Sequence, residues 1–125
     1  STKINKTIQA DTMNELITKV LAWAEDRNIL EGSTPKDQFI KAMSEFGELA
    51  DALAKNNKDE VMDAVGDHLV CLINMCGILQ IDIAECLQQA YDQIKDRKGV
   101  MFNGVFVKES DPNYERIRKH LNFNN

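Results

Sequence analysis

The stretch DAVGDHLVCLINMCGIL (residues 63–79) decides the fold, because it joins acidic residues to the most apolar sequence in the chain. Its spacing predicts a helix whose later turns are apolar on nearly every side. Helices of this kind are buried within a bundle or an oligomer. Asp67 and Asn74 are therefore predicted to be buried, and a buried carboxylate is stable only with hydrogen bonds, a counter-charge or a metal ion.

The bulk composition fits one soluble globular domain covering residues 1–125. Hydrophobic residues make up 43% of the chain and charged residues 28%, which is ordinary for a folded protein. The net charge of −5 argues against a protein that coats nucleic acid, since that function needs a basic face. A multiply charged anionic ligand would need a counter-cation.

Three sequence features predict a cytoplasmic protein with no membrane segment. The N-terminal residues contain no apolar signal-peptide core. The longest apolar run, residues 69–81, is too short to span a bilayer and is interrupted by Asn74. The three cysteines form no Cys-x-x-Cys pair, so we interpret them as small core residues in a reducing compartment.

Start and stop signals divide most of the chain into four helices of bundle length. Thr34 can cap a helix that Pro35 enters, and Asp82 can cap another. The predicted helices run from a cap at Asp11 to about Asn28, from Pro35 to about Lys55, from about Asp59 to Leu79 or Gln80, and from Asp82 to near Lys98–Gly99.

The remaining sequence predicts a hairpin and a short terminal helix. In VMFNGVFV (100–107), two β-prone runs flank an Asn-Gly pair, which favours a type I′ turn. In SDPNYERIRKHL (110–121), Asp111 or Ser110 can cap a helix that Pro112 enters. The predicted fold is all-α, with a four-helix-bundle-type core, a small β-hairpin, a short C-terminal helix and obligate oligomeric assembly.

Carboxylates follow the second and third predicted helices. At about 100° of rotation per residue, Glu45 and Glu48 lie side by side outside the apolar arc of the second helix. A stripe about 60° wide on the third helix holds Glu60, Asp63, Asp67 and Asn74. Carboxylates that face one another repel, so the pattern predicts a Mg²⁺ or Mn²⁺ ion between them, bridging to substrate phosphates.

Several of these residues have simpler structural explanations. Lys41 lies one turn before Glu45 and can form an ordinary ion pair with it on a solvated edge. Glu60 can favour the dipole of a helix N-terminus. His68 can be a hydrogen-bonded core histidine, and Trp23 can belong to the core. The cations Lys95, Arg97 and Lys98 can either complement a helix dipole or reach phosphate oxygens.

Four segments together resemble the MazG-like, all-α nucleoside triphosphate pyrophosphohydrolases, a family related to dimeric dUTPases and dCTP pyrophosphatases. The resemblance covers roughly residues 20–109, and its last segment resembles the tail of the short phage and bacterial members. Its E-x-x-E motif, Glu45 and Glu48, would not be specific alone. The segments are WAEDRNIL (23–30), TPKDQFIKAMSEFGELADALAK (34–55), EVMDAVGDHLVCLINMCG (60–77) and DRKGVMFNGVFVKE (96–109).

The resemblance implies Mg²⁺-dependent hydrolysis of a nucleoside triphosphate between its α and β phosphates, with deoxynucleotides favoured and dGTP first. It implies a dimer or tetramer whose sites combine helices of two chains. The implied metal ligands are Glu45, Glu48, Asp63 and Asp67, with Glu60 as a fifth, and Glu48 is also assigned to take a proton from water. The implied substrate contacts are Asn74 for sugar or base, Lys95 and Lys98 for phosphates, and Trp23, Asp26 and Asn28 for the base pocket.

One departure from the family pattern leaves two registers open. The second family motif is E-x-x-D, and Glu60 with Asp63 matches it but follows Glu48 sooner than usual. Aligning the Gly-Asp-apolar step instead puts Asp67 at the family aspartate and Ala64 at the glutamate. Both registers use the same stripe of the third predicted helix.

Two other functions are alternatives to hydrolysis. A non-catalytic helical interaction module would use the carboxylates as a solvated face and dock a partner on the apolar third helix. A di-iron bundle normally uses Glu-x-x-His, and neither His68 nor His120 has a glutamate three residues before it. The sequence therefore favours the interaction module over the di-iron bundle as the competing function.

Overall fold

The protein is mostly helical, and its structure is a computed structural model that describes residues 10–124, with side chains through Asn122. The regular structure of these residues consists of six helices and one two-stranded antiparallel sheet. The predicted all-α class with a small hairpin is confirmed. The elements are α1 (Met13–Asp26), α2 (Ile29–Gly32), α3 (Pro35–Ala54), α4 (Lys58–Leu79), α5 (Ile83–Ile94), β1 (Gly99–Phe102), β2 (Val105–Lys108) and α6 (Tyr114–Asn124).

The described residues form two compact units, one up to Cys86 and one from Leu87 onward. In the N-terminal unit, α3 and α4 pack along each other, and α1 and α2 both contact α4. In the C-terminal unit, β1 pairs with β2 and contacts α6. The organisation of the whole chain as a single domain stays a prediction.

The two central helices begin where the sequence predicts. The Thr34 side chain accepts a hydrogen bond from the Asp37 N–H at 3.1 Å, and Pro35 occupies the first helical position of α3. Asn57 caps α4, whose first residue lies one position before the predicted start. Gln80 ends α4 in the left-handed conformation, with φ of 59°.

The start and end of α1 differ from the prediction. Its cap is Thr12 rather than Asp11, because Thr12 and Glu15 exchange backbone-to-side-chain hydrogen bonds of 2.7 and 3.1 Å in a capping box. Asp11 instead forms an ion pair with Lys19 at 2.6 Å. Asn28 adopts the left-handed conformation, with φ of 61°, so the chain turns there and the unpredicted helix α2 follows.

The end of α5 and the start of α6 also differ from the prediction. The Asp82 side chain accepts from the Ala84 N–H at 2.9 Å, which confirms the predicted cap. However, α5 ends at Ile94, because residues 95–98 are all charged and cannot extend its apolar face. The α6 helix begins at Tyr114, so Pro112 precedes the helix instead of entering it.

The Asn-Gly hairpin is confirmed. Asn103 and Gly104 both have positive φ, 50° and 80°, as a type I′ turn requires. The pairing runs from Phe102 opposite Val105, next to the turn, to Gly99 opposite Lys108 at the open end.

Buried positions in the described residues carry mostly small side chains. They are Ala24, Ala42, Ala52, Ala64, Cys71, Ile73 and Cys76, together with the polar Gln38 and Asn74. Small residues allow α3 and α4 to approach closely. The large apolar side chains of these helices are instead half-exposed, among them Phe39, Met43, Phe46, Leu53, Met62 and Val65.

The α4 helix is long and apolar. By length and composition alone, this helix could cross a membrane. It also supplies five of the buried residues of the N-terminal unit, and core helices of soluble proteins meet the same criteria. A single helix of this kind is therefore weak support for a membrane span.

Candidate active site

The two predicted carboxylates of α3 differ in exposure. Glu45 is half-buried, and its Oε2 atom is enclosed without a hydrogen-bond partner among the described residues. Glu48, one turn further along α3, is exposed. Enclosing a carboxylate oxygen without a donor is costly, because burial removes its water and replaces it with nothing. Glu45 is therefore the position at which an additional positive group fits best.

The two predicted carboxylates of α4, Asp63 and Asp67, are both exposed. The predicted burial of Asp67 is wrong for one chain, because no described residue covers that side of the helix. Burial raises the pKa of the Cys71 thiol, nearby Lys41 counteracts that rise, and the charges of Glu45 and Asp67 add to it. An α3 carboxylate and an α4 carboxylate thus both act electrostatically on Cys71, on α4.

Lys41 does not neutralise Glu45 through a direct ion pair. The salt bridges formed within residues 10–124 do not include Lys41. The ordinary ion pair that would explain Glu45 as a solvated edge is therefore not formed. Lys41 contributes positive potential near Cys71 but leaves Glu45 Oε2 without a donor.

The carboxylate oxygens of this region fit a hard divalent cation as ligands. Carboxylate oxygens are the ligands that Mg²⁺ prefers in proteins, and Glu45 offers one that has no other partner. Among the side chains that the structure describes, no three histidines, cysteines, aspartates or glutamates converge to hold a metal ion. The convergence of the predicted ligands into one metal site stays a prediction.

Glu60 has a structural role at the start of α4. Its N–H donates to Asn57 Oδ1 at 3.1 Å, and its Oε2 accepts from Asn57 Nδ2 at 2.8 Å. Lys55 lies 3.9 Å from the other carboxylate oxygen. These contacts explain Glu60 as part of a helix cap, while its role as a fifth metal ligand stays a prediction.

Asn74 is buried, as predicted, with 3% of its surface exposed. Its Oδ1 atom has no hydrogen-bond partner among the described residues. A buried amide of this kind lowers stability, and functional residues often carry such a cost. Its proposed contact with sugar or base would give the amide a partner.

We expect Asn74→Leu to stabilise the protein while weakening nucleotide binding. Replacing the unpaired amide by apolar atoms of similar shape should raise the free energy of unfolding by about 1–2 kcal/mol. Thermal unfolding and nucleotide titration measure the two effects, and Asn14→Leu is the control, since Asn14 is exposed. Lower stability, or unchanged affinity, would contradict this expectation.

The residues predicted to form a base pocket lie around the end of α1. Trp23 is 43% exposed rather than part of the core, and the Arg27 guanidinium lies 4.9 Å from its ring centroid. Asn28 lines a cavity of about 230 Å³, together with residues of α2 and the end of α4. Asp26 is exposed and does not line that cavity. Their common role in base binding stays a prediction.

Lys95 and Lys98 belong to the C-terminal unit. Lys95 forms an exposed ion pair with Asp92 at 3.6 Å. The Lys98 carbonyl accepts a hydrogen bond from the Glu109 N–H at 2.9 Å, just beyond the open end of the hairpin. Their contact with phosphates stays a prediction.

His68 connects the two central helices. Its Nδ1 lies 2.9 Å from the Ala42 carbonyl oxygen of α3, and since a carbonyl only accepts, Nδ1 must carry the proton. The imidazole also stacks on Phe46, with ring centroids 4.6 Å apart. The predicted hydrogen-bonded histidine is confirmed. Its partner could not be predicted from the sequence, because every residue carries a backbone carbonyl.

Comparison with known proteins now assigns the family. Residues 34–102 match the MazG nucleotide pyrophosphohydrolase domain, which covers more than half of the chain. The chain therefore belongs to the MazG nucleotide pyrophosphohydrolase family. The matched range contains all five candidate metal ligands as well as Asn74, Lys95 and Lys98, whereas Trp23, Asp26 and Asn28 precede it.

The chain is also similar to a phage protein of unknown activity. It is 46% identical over 70 residues to the uncharacterized 18.2 kDa protein in the rep-hol intergenic region of Haemophilus phage HP1 (strain HP1c1). The similarity covers 56% of this chain and 43% of the phage protein, so it spans less than half of that relative. No solved structure matches the chain significantly.

Proposed function

We propose that this protein hydrolyses a nucleoside triphosphate between its α and β phosphates, giving the monophosphate and pyrophosphate. The family acts on nucleotides and generally uses divalent metals. The observation that carries the proposal is the enclosed carboxylate oxygen of Glu45, which has no hydrogen-bond partner among the described residues. Glu45 lies within the range that matches the family. The likeness to short phage members favours deoxynucleotides, with dGTP first and dUTP or dCTP next, in the cytoplasm of the producing or host cell.

The proposed cofactor is Mg²⁺, with Mn²⁺ able to replace it. The residues that would hold the ion are Glu45, Glu48, Asp63 and Asp67, with Glu60 as a fifth candidate. When bound, such an ion neutralises phosphate charge and makes a water molecule more acidic. Without that counter-charge, this acidic protein would repel a triphosphate.

Glu48 is proposed as the residue that takes the proton from the attacking water. Its exposure leaves the carboxylate open to water and substrate, unlike that of Glu45. As the water oxygen bonds to phosphorus, its proton passes to Glu48, and the bridging P–O bond breaks. One water is consumed for each monophosphate and pyrophosphate formed.

The proposed substrate contacts are of three kinds. Asn74 would orient the sugar or base, and Lys95 and Lys98 would pair with phosphate oxygens. The proposed base pocket consists of Trp23, Asp26 and Asn28, of which Trp23 offers a half-exposed ring for stacking.

Product identification tests the reaction directly. The protein is incubated with each canonical dNTP and NTP and with dUTP, in Mg²⁺ or in EDTA, and the products are separated by chromatography. We expect equal amounts of one monophosphate and pyrophosphate, in Mg²⁺ only. Release of orthophosphate would show that a different bond is cleaved. No turnover by folded protein in either Mg²⁺ or Mn²⁺ would contradict the proposed function.

We also propose that the protein assembles as a homodimer or homotetramer. The large apolar side chains of α3 and α4 are half-exposed in one chain, and single soluble chains rarely leave such a surface uncovered. The exposed positions of Asp63 and Asp67 are consistent with sites completed by a second copy.

Self-association can be disrupted at Leu53, which is 58% exposed on α3. We expect Leu53→Lys to raise the dissociation constant of the assembly by about tenfold or more, because it places a charge in an apolar contact. Solution scattering at micromolar concentration measures the assembly. The control is Val105→Lys, an exposed hairpin position. A monodisperse wild-type monomer would contradict the proposal.

The exposed apolar surface is also what favours the competing function, a non-catalytic interaction module. In that case the carboxylates form a solvated face, so Mg²⁺ would not change thermal stability. Under the proposed function, Mg²⁺ raises Tm because it binds the folded state, and Glu45→Gln reduces that increase. The Mg²⁺ dependence of Tm therefore separates the two functions without requiring a substrate.

A further inference from the structure

The His68 imidazole is held by two residues of α3. Its Nδ1–H donates to the Ala42 carbonyl oxygen at 2.9 Å, and its ring stacks on Phe46 with the two planes 13° apart. Ala42 lies about one turn before Glu45 in α3, and Phe46 follows Glu45 directly. The two contacts of His68 therefore flank the carboxylate whose Oε2 atom is enclosed without a hydrogen-bond partner among the described residues.

His68 is also tied to the candidate carboxylates of α4. It follows Asp67 directly in the helix, and Asp63 lies one turn before Asp67. Residues of one helix keep a fixed spacing of about 1.5 Å along its axis. A shift of α4 along α3 would therefore move His68 and both carboxylates together. The hydrogen bond to Ala42 limits that shift, because it joins a fixed point of α4 to a fixed point of α3.

The packing between α3 and α4 relies on small side chains. The buried residues of α3 include Ala42 and Ala52, and those of α4 include Ala64. The offset between two helices is normally set by side-chain ridges of one helix that fit grooves of the other, and alanine forms shallow ridges. Under these conditions a polar contact can fix the register of two helices.

We propose that His68 is a positioning residue for the metal site, because its hydrogen bond to Ala42 holds α4 at the offset that lets Asp67 and Glu45 share one cation. The inference rests on the proposed function, since these carboxylates are the proposed ligands of Mg²⁺ or Mn²⁺. Metal ligands must be held within about 0.5 Å of their productive geometry. His68 acts through the helix, since its Nδ1 carries a proton and offers no lone pair to a cation.

Substitutions at position 68 separate the hydrogen bond from the aromatic ring. His68→Asn keeps an N–H donor near the position of Nδ1, His68→Gln moves the same amide towards the position of Nε2, and His68→Phe keeps only a ring. Binding of Mn²⁺ without nucleotide is measured from the electron paramagnetic resonance signal of the free ion. We expect Kd for Mn²⁺ to rise about tenfold in the Phe and Gln variants and to stay within about twofold of wild type in His68→Asn.

Ile73→Val is the control for a loss of stability alone. Ile73 is a buried residue of α4, and it lines a cavity together with residues of α1 and the start of α5. We expect this variant to have a lower Tm and an unchanged Kd for Mn²⁺. If His68→Phe does not fold, the Asn and Gln variants still decide the question, because they carry the same amide and differ by one methylene.

The tautomer of His68 tests the hydrogen bond without any metal. Nitrogen-15 NMR distinguishes the two tautomers of a neutral imidazole, whose ring nitrogens differ in which one carries the proton. The chain contains two histidines, so the His68 signals are those lost in His68→Asn. We expect the tautomer with the proton on Nδ1.

The possible results separate this inference from the proposed function. The inference alone would be overturned by the Nε2–H tautomer, by wild-type Mn²⁺ affinity in His68→Phe, or by equal losses of affinity in the Asn and Gln variants. A matching loss in Ile73→Val would also overturn it, since lower stability would then explain the effect. No Mn²⁺ binding by folded wild-type protein would instead contradict the metal site, and with it both the inference and the proposed function.

Discussion

Glu48→Gln is expected to lower kcat for nucleotide hydrolysis by about a hundred- to ten-thousandfold. The amide keeps the size of the side chain but cannot take a proton from water and is a poorer ligand for a divalent cation. Because Glu48 is exposed, the substitution should leave the free energy of unfolding within about 0.5 kcal/mol of wild type. Steady-state kinetics in Mg²⁺ and thermal unfolding measure the two quantities.

The control for this variant is Glu85→Gln, the same chemical change at an exposed position on α5. It should retain wild-type kcat and KM. A role limited to substrate binding would instead raise KM at unchanged kcat in the Glu48 variant. Wild-type kcat in Glu48→Gln would remove Glu48 from the proposed mechanism and leave the other carboxylates as candidates for the base.

Gly99→Ala is expected to destabilise the hairpin by about 3 kcal/mol. A methyl group at Gly99 would overlap the Val107 carbonyl oxygen and lie 2.7 Å from Phe106 Cζ and 3.0 Å from the Lys108 Cα. Two of these three atoms belong to the backbone, so the clash cannot be relieved by rotating a side chain. Amide hydrogen exchange in β1 and β2 should accelerate by about a hundredfold.

Gly47→Ala is the matched control, because it is the same substitution but is expected to raise the free energy of unfolding. Gly47 lies inside α3, and a methyl group there meets nothing within 4 Å. Alanine favours the helix over glycine by about 1 kcal/mol. Unchanged exchange in the hairpin of Gly99→Ala would show that the strands separate at their open end at little cost.

Local chemistry predicted most of the fold. Two helix caps and the hairpin turn depend only on residues a few positions apart, so they can be predicted from the sequence alone. They are the cap at Thr34 and Pro35, the cap at Asp82 and the Asn-Gly turn. The cap of α1 was predicted wrongly because two local solutions compete there. Asp11 and Thr12 can both cap α1, and Thr12 does so because Glu15 is placed to return the hydrogen bond.

The candidate site was predicted less completely than the fold. Helical periodicity placed Glu45 and Asp67 on α3 and α4, which pack together, and the charges of both act on the Cys71 thiol. It could not predict which carboxylate is enclosed, since enclosure depends on how the small residues Ala42 and Ala64 bring the helices together. Nor could it predict exposure on the far side of α4, which depends on what covers that side in the assembly.

The small side chains of the core have a consequence for how the protein responds to its own abundance. One chain buries little large apolar surface, and covering the remaining faces with a second copy, as proposed, links folding to association. Tm would then rise with total chain concentration. Below a threshold copy number a cell would hold mostly unassembled, protease-sensitive chains, and above it active enzyme would increase more steeply than gene expression.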